Sequence, residues 1–246
     1  MRLFWIALLI FLNLTSPVWA CRQALVLALD VSGSVDAKEY QQQVTGLALA
    51  LSHPDIRDVI LADLDNPVTI MVFEWSSQNH QYVILPWSRL DSERSLDEAI
   101  AQIRRHKKVR AGLKTALGTA LAFGQSMLER QPECWRHTID VSGDGRNNVG
   151  PLPQTVYRSG FQRTTVNALV VGKPETGGDE GPGITSDDLL KYFENEVIRG
   201  PGAFAMKADG YADYARAMQK KLARELRLPI FGQAPAAPTI KDEAPG

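Results

Sequence analysis

An aspartate and two serines at alternate positions, Asp30, Ser32 and Ser34, follow directly on the apolar run from Ala24 to Leu29. A strand that delivers one carboxylate and two hydroxyls into a tight turn suits a hard cation, which binds through oxygen. Taken alone, Asp-x-Ser-x-Ser is also the pattern of a turn that caps the next helix. Two later segments add oxygen. Gly112-Leu113-Lys114-Thr115 opens a stretch of small residues, and Ser142-Gly143-Asp144-Gly145 follows the run that starts at Thr138. Three loops thus offer the carboxylates of Asp30 and Asp144 and the hydroxyls of Ser32, Ser34 and Thr115. A protein that supplies so little charge leaves a Mg2+-type ion electrophilic and one position open.

For those residues to meet, their loops must lie at one end of a sheet. Period-two and apolar runs predict strands at 24–29, 68–75, 81–87, 138–142, 165–171 and 203–208. Helical stripes between them predict helices at 36–51, 92–106, 115–128, 152–161, 186–197 and 211–226. This alternation reads as an α/β, doubly wound (Rossmann-like) fold, its mostly parallel sheet covered by helices on both faces. Ligands of such sheets bind outside the carboxyl ends of the strands, where Asp30, Ser142 and Asp144 are expected. Thr115 is expected at the N-terminus of its helix. Trp75 and its neighbours Glu74 and Ser76 leave the second strand on the same side, so they are read as a partner-binding rim together with Asn147. A tryptophan packed beneath the hairpin is the alternative.

Other features take plainer readings. Asp140 stands in mid-strand, where burial demands a partner: either an arginine, or the metal loops by way of Ser142. Tyr211, Tyr214 and Met218 form a helical stripe directed at the core. The run Arg104 to Lys108 is a solvated helix end, where cations complement the helix dipole. The four histidines are scattered, with no pair at metal-ligand spacing.

The chain has 246 residues and a formal net charge of -1, so no bulk field draws it to nucleic acid or an anionic membrane. Met1-Arg2, the apolar Leu3 to Leu14 and the small residue Ala20 read as a leader over 1–20, cleaved before Cys21. The apolar stretch is short for a membrane span. A domain over 21–232 and a disordered Pro/Ala-rich tail over 233–246 complete the organisation. Cys21 and Cys134 each lie four residues ahead of a predicted strand. If those strands are parallel neighbours, an oxidising compartment joins the two. Lipidation of Cys21 is the alternative, which the bulky Trp19 disfavours.

The run from Ala24 to Asp36, with Glu74-Trp75-Ser76, Thr115 and the segment from Cys134 to Gly145, resembles the von Willebrand factor A superfamily. Within it, the match is to a bacterial exported family of unknown function. The resemblance implies a six-stranded sheet with one antiparallel edge strand, and a metal-ion-dependent adhesion site. Ser32, Ser34 and Thr115 would be direct ligands and Asp30 and Asp144 would hold the ion through waters. The third segment departs from the commoner Thr-Asp-Gly by having Ser142-Gly143 before Asp144.

The implied function is a non-enzymatic, periplasmic or secreted module that needs Mg2+ (or Mn2+ or Ca2+) and binds a protein partner's Asp or Glu carboxylate. It implies no nucleic acid and no transmembrane segment. The alternatives are a metal-assisted hydrolase, such as a phosphatase using Asp30 or Ser32 as nucleophile, and a scaffold subunit with a vestigial site. A phosphatase of the haloacid-dehalogenase type needs a second aspartate where Ser32 stands, and no histidine is near in sequence to activate either nucleophile.

Overall fold

The computed structural model describes residues 20–109, 111–172 and 185–227. All of the expected leader over 1–20 except Ala20, the Gly/Pro-rich loop from Lys173 to Gly183 and the tail after Gly232 lie outside the described residues. Six strands form one sheet: β1 (Cys21–Asp30), β2 (Val68–Trp75), β3 (Gln81–Leu90), β4 (Cys134–Gly143), β5 (Thr164–Val171) and β6 (Ala205–Ala208). Their order is β3-β2-β1-β4-β5-β6, all parallel except the edge strand β3, which pairs antiparallel with β2. Pro86 is tolerated in β3 because an edge strand has a free side.

The helices are α1 (Ala37–Ser52), α2 (Pro54–Leu61), α3 (Glu93–Arg105), α4 (Leu117–Leu128), α5 (Pro153–Val156), α6 (Ser186–Tyr192) and α7 (Tyr214–Glu225). Leu25, Leu27 and Leu29 of β1 face a core shared with α1, α2, α3 and α7. Ala24, Val26 and Ala28 face the opposite core, with α4, Tyr157 and Phe193. Both faces of β1 are therefore covered, which is why its sequence is apolar without alternation. Among the described residues no helix is long and apolar enough to cross a membrane.

Several boundaries differ from the sequence expectation. The α2 helix is an addition: Pro54 starts it, where a missing amide costs nothing, and the His53 imidazole accepts the Asp55 amide at 3.3 Å. The helix expected over 152–161 is one turn, α5, followed by Gly160 at φ +86°, a conformation that glycine adopts without a Cβ penalty. The helix expected over 186–197 is α6 continued by a π turn, Phe193–Val197. The last helix begins as a 3-10 turn, Tyr211–Asp213.

Cys21 and Cys134 are direct partners in the β1/β4 register, with Cα atoms 4.5 Å apart, and they form a disulfide. The strands begin at the cysteines themselves, further upstream than the apolar runs indicate. The bridge joins residues 113 apart in sequence, so it restricts the unfolded chain strongly. Replacing both cysteines by alanine is expected to lower stability by about 2 to 4 kcal/mol in urea denaturation. An unchanged midpoint would show that the cross-link carries no stability.

Candidate metal centre

Strand order reverses at β1, whose neighbours β2 and β4 are reached by connections running in opposite directions, and this opens a crevice at the strands' carboxyl ends. Asp30 is the last residue of β1 and is wholly buried. Its Oδ1 accepts the Ser32 amide at 2.8 Å, closing the turn that carries both serines. The Ser32 and Ser34 hydroxyls lie 3.3 Å apart, and Ser34 Oγ donates to Asp144 Oδ1 at 2.6 Å. A contact across 110 residues thus brings the first and third loops together.

The second loop is held by its neighbours rather than by its own helix. Ser76 Oγ accepts the Gly112 amide at 3.0 Å, Ser77 Oγ the Lys114 amide at 3.3 Å and the Ser76 carbonyl the Ala116 amide at 2.7 Å. The Leu113 carbonyl accepts the Gly33 amide at 3.3 Å, tying it to the serine turn. Asn148 grips Thr115 from both sides: its Oδ1 accepts the Thr115 amide and its own amide donates to the Thr115 carbonyl, each at 2.9 Å. Thr115 is not the helix cap expected. It precedes Ala116, the N-cap of α4, and the α4 amide of Gly118 is satisfied by Asn147 Oδ1 at 3.1 Å. A Cβ built on Gly145 would lie 3.6 Å from Thr115 Oγ1, so this hydroxyl adjoins the Asp144 loop.

The residues present fit a hard cation. Asp30 Oδ2 is buried with no hydrogen-bond partner among the described residues, an arrangement that costs free energy unless something else meets the charge. Without an ion, burial first and the Asp144 charge second push the Asp30 carboxyl up to about 7, while the amides of Ser32 and Asp144 and the Ser32 hydroxyl pull it down. Among the described residues no three His, Cys, Asp or Glu side chains form a metal cluster of their own. The donor set is therefore hydroxyl-rich and charge-poor, which suits an oxygen-seeking ion that keeps waters.

The two residues before Asp144 have other tasks. Ser142 Oγ faces the opposite core, 3.1 Å from Tyr214 Oη and 3.2 Å from Gln43 Oε1, so only Asp144 of that segment reaches the site. A Cβ on Gly143 would stand 3.2 Å from Asp30 Oδ2 and 3.6 Å from both Trp75 and Phe193, so a bulkier residue there crowds the carboxylate. Gln43 Nε2 also donates to the Asp30 carbonyl at 2.9 Å, buttressing the strand end. The Tyr211 hydroxyl is buried without a partner among the described residues, and burial with the charges of Asp144 and Asp30 holds its pKa well above the ordinary value. Gln43, Asn148 and Tyr211 carry no sequence signal for this site, because their approach depends on helix docking.

The expected rim is corrected. Glu74, Trp75 and Ser76 are each 0 % exposed. Trp75 packs with Phe73 and Phe193 beneath the site, since β2 is covered on both faces up to its last residue. Glu74 accepts the Tyr40 hydroxyl at 3.1 Å and faces His80 and His106 at 3.6 and 3.4 Å. Ser76 binds loop amides, and Asn147 is spent capping α4. Asp140 pairs with neither an arginine nor the metal loops, but with Lys221 of α7 at 2.6 Å.

The profile of the family described as "Protein of unknown function (DUF1194)" matches residues 20–230. The chain belongs to this family. No curated protein matches it in sequence. Among solved structures, proximal thread matrix protein 1 from the mussel byssus superposes with a TM-score of 0.58 at 16 % identity, covering 84 % of this chain and 48 % of that one. A second structure of that protein, with a zinc-occupied MIDAS motif, gives 0.57 at 13 % identity, covering 84 % and 46 %. The pilus adhesin SpaC from Lactobacillus rhamnosus GG gives 0.56 at 12 % identity, covering 84 % and 31 %. The chain thus spans less than half the length of these proteins. The fold of this chain is the von Willebrand factor A fold.

Proposed function

We propose that the protein is an exported, divalent-cation-dependent binding module whose partner is a protein offering an Asp or Glu carboxylate. Ser32, Ser34 and Thr115 would hold a Mg2+-type ion directly, with Asp30 and Asp144 behind waters. The bound ion would supply an electrophilic position open to one further oxygen ligand. The observation that carries this reading is the buried, unpartnered Oδ2 of Asp30, set behind the Ser34–Asp144 contact that joins two loops. The fold shared with a pilus adhesin and with a protein whose MIDAS motif holds zinc supports it.

The reading is of a binding module rather than a hydrolase. Nucleophilic catalysis by Asp30 or Ser32 needs a neighbouring base. His80 and His106 are turned to Glu74, His53 caps α2, and His137 Nε2 is 2.8 Å from the Gln131 carbonyl. Each imidazole is engaged away from the two candidate nucleophiles.

Calorimetric titration with Mg2+ and Mn2+, with Ca2+ and Zn2+ for comparison, tests the site. Wild type is expected to bind one ion weakly. Asp30→Ala and Thr115→Ala are expected to lose binding while circular dichroism shows the fold retained. Equal binding by all three proteins would remove the site and the reading built on it.

A further inference from the structure

A second group of chemically active side chains lies inside the molecule, and the metal site makes no use of it. Lys221 of α7, Asp140 of β4 and Glu225, one turn after Lys221, converge where each side chain is at most 1 % exposed. Lys221 Nζ stands 2.6 Å from Asp140 Oδ1 and 2.9 Å from Glu225 Oε1. The first distance is short even for a charged pair. Yet neither oxygen of Asp140 makes a hydrogen bond among the described residues, so the amine is pressed against the carboxyl group without the alignment that such a bond takes.

The neighbours hold this arrangement and keep it dry. Asn167 Nδ2 donates to Glu225 Oε1 at 2.6 Å while Asn167 Oδ1 accepts the Phe204 amide at 3.0 Å, which fixes the glutamate beside the amine. The buried Phe204 ring, its centroid 5.2 Å from Nζ, closes one side. Burial first, and the Glu225 charge second, favour the uncharged form of the Asp140 carboxyl, with Lys221 opposing them. Transfer of one proton from the ammonium to that carboxylate removes two buried charges and leaves a free amine against a carboxylic acid. An amine nucleophile, a carbonyl carbon and a second carboxyl group able to carry protons then stand in contact. Fixed proximity of this kind is equivalent to an effective concentration of about 10⁵ M or more.

We propose that Lys221 and Asp140 condense to an isopeptide bond that ties α7 to β4. Lys221 Nζ attacks Asp140 Cγ, and the Glu225 carboxylate takes a proton from the nitrogen and returns it to the departing hydroxyl. The Nζ–Cγ bond forms, one Cγ–O bond breaks and one water leaves, so the step needs no oxidant, reductant or co-reactant. The ion pair is the reactant of this step, and the burial that excludes water protects the amide from hydrolysis.

Intact-mass measurement and tryptic mapping of the purified, folded chain test this. Wild type is expected to weigh one water less than its amino-acid composition with the disulfide counted. An amide on Lys221 blocks cleavage there, so peptide 221–224 is expected joined to peptide 137–146. Lys221→Arg keeps a cation but has no primary amine, and is expected at its full mass. Glu225→Gln retains both reacting groups without the proton carrier, and its joined peptide is expected to fall by about tenfold or more. Wild type at full mass, with the two peptides recovered separately, overturns the bond. So does a water loss confined to peptide 137–146, where Asp144-Gly145 can cyclise on its own. A joined peptide at the wild-type level in Glu225→Gln would overturn the part assigned to the glutamate.

Discussion

Lys221→Met is expected to destabilise the protein by about 3 to 5 kcal/mol at neutral pH, because it strips the cation from two buried carboxylates. Lys221 Nζ lies 2.6 Å from Asp140 Oδ1 and 2.9 Å from Glu225 Oε1, and all three side chains are at most 1 % exposed. Lys221 is the ion-pair partner of both acids, and among the described residues neither has another. Asn167 completes the group, donating to Glu225 Oε1 at 2.6 Å and accepting the Phe204 amide at 3.0 Å. Burial and the Glu225 charge push the Asp140 carboxyl well above its usual range, and Lys221 is the group that opposes them. Urea denaturation at pH 7.5 measures the loss. Adding Asp140→Asn to Lys221→Met should recover part of it, and the penalty should shrink at pH 5 as the stranded Asp140 carboxyl takes up a proton. Equal stability of wild type and Lys221→Met would show that the cluster does not anchor α7 to β4 and β5.

The second large effect concerns Asp30 and the cation together. In chelator, the Asp30 carboxyl titrates near 7 in the folded protein against 3.8 as its ordinary value. Between those values the folded state binds more protons than the unfolded one, so stability falls as pH rises across that window. A shift of roughly three units corresponds to about 4 kcal/mol, complete by pH 8. A divalent cation binds the charged form and is expected to offset much of that loss at pH 8, with little effect at pH 5. Asp30→Asn removes the titrating group, so its stability in chelator should decline less between pH 5 and pH 8, and it should gain nothing from Mg2+. Denaturant midpoints for both proteins at both pH values, with Mg2+ and with chelator, decide this. Parallel pH profiles for wild type and Asp30→Asn in chelator would mean that Asp30 carries no buried charge.

Much of the architecture follows from local pattern. The unbroken apolar run of β1 and the alternation of strand and helix led to a mostly parallel sheet covered on both faces, as observed, while the antiparallel edge strand was implied by the family resemblance. Asp30, Ser32 and Ser34 share one turn, so their spacing alone placed them together. The matched offsets of Cys21 and Cys134 foretold their register, because both precede strands that are neighbours in the sheet. These are properties of a single segment or of a period, and a period survives whatever packs around it.

What the chain does at a distance was decided only by the tertiary structure. Trp75 at a strand's end looks like a rim residue until α6 and its π turn close over it, bringing Phe193 beside Gly143 and Trp75. Thr115 looks like a helix cap until Asn147 takes the cap's role and Asn148 clamps the threonine from a loop 33 residues away. Asp140 required a partner, yet nothing in its own strand indicated that Lys221, on the last helix, would supply the charge. The physical reason is common to all three. A side chain's spacing in sequence sets the element and face it occupies, whereas burial, hydrogen-bond partners and charge partners come from elements that fold against that face, and these leave no periodic trace in the segment they cover.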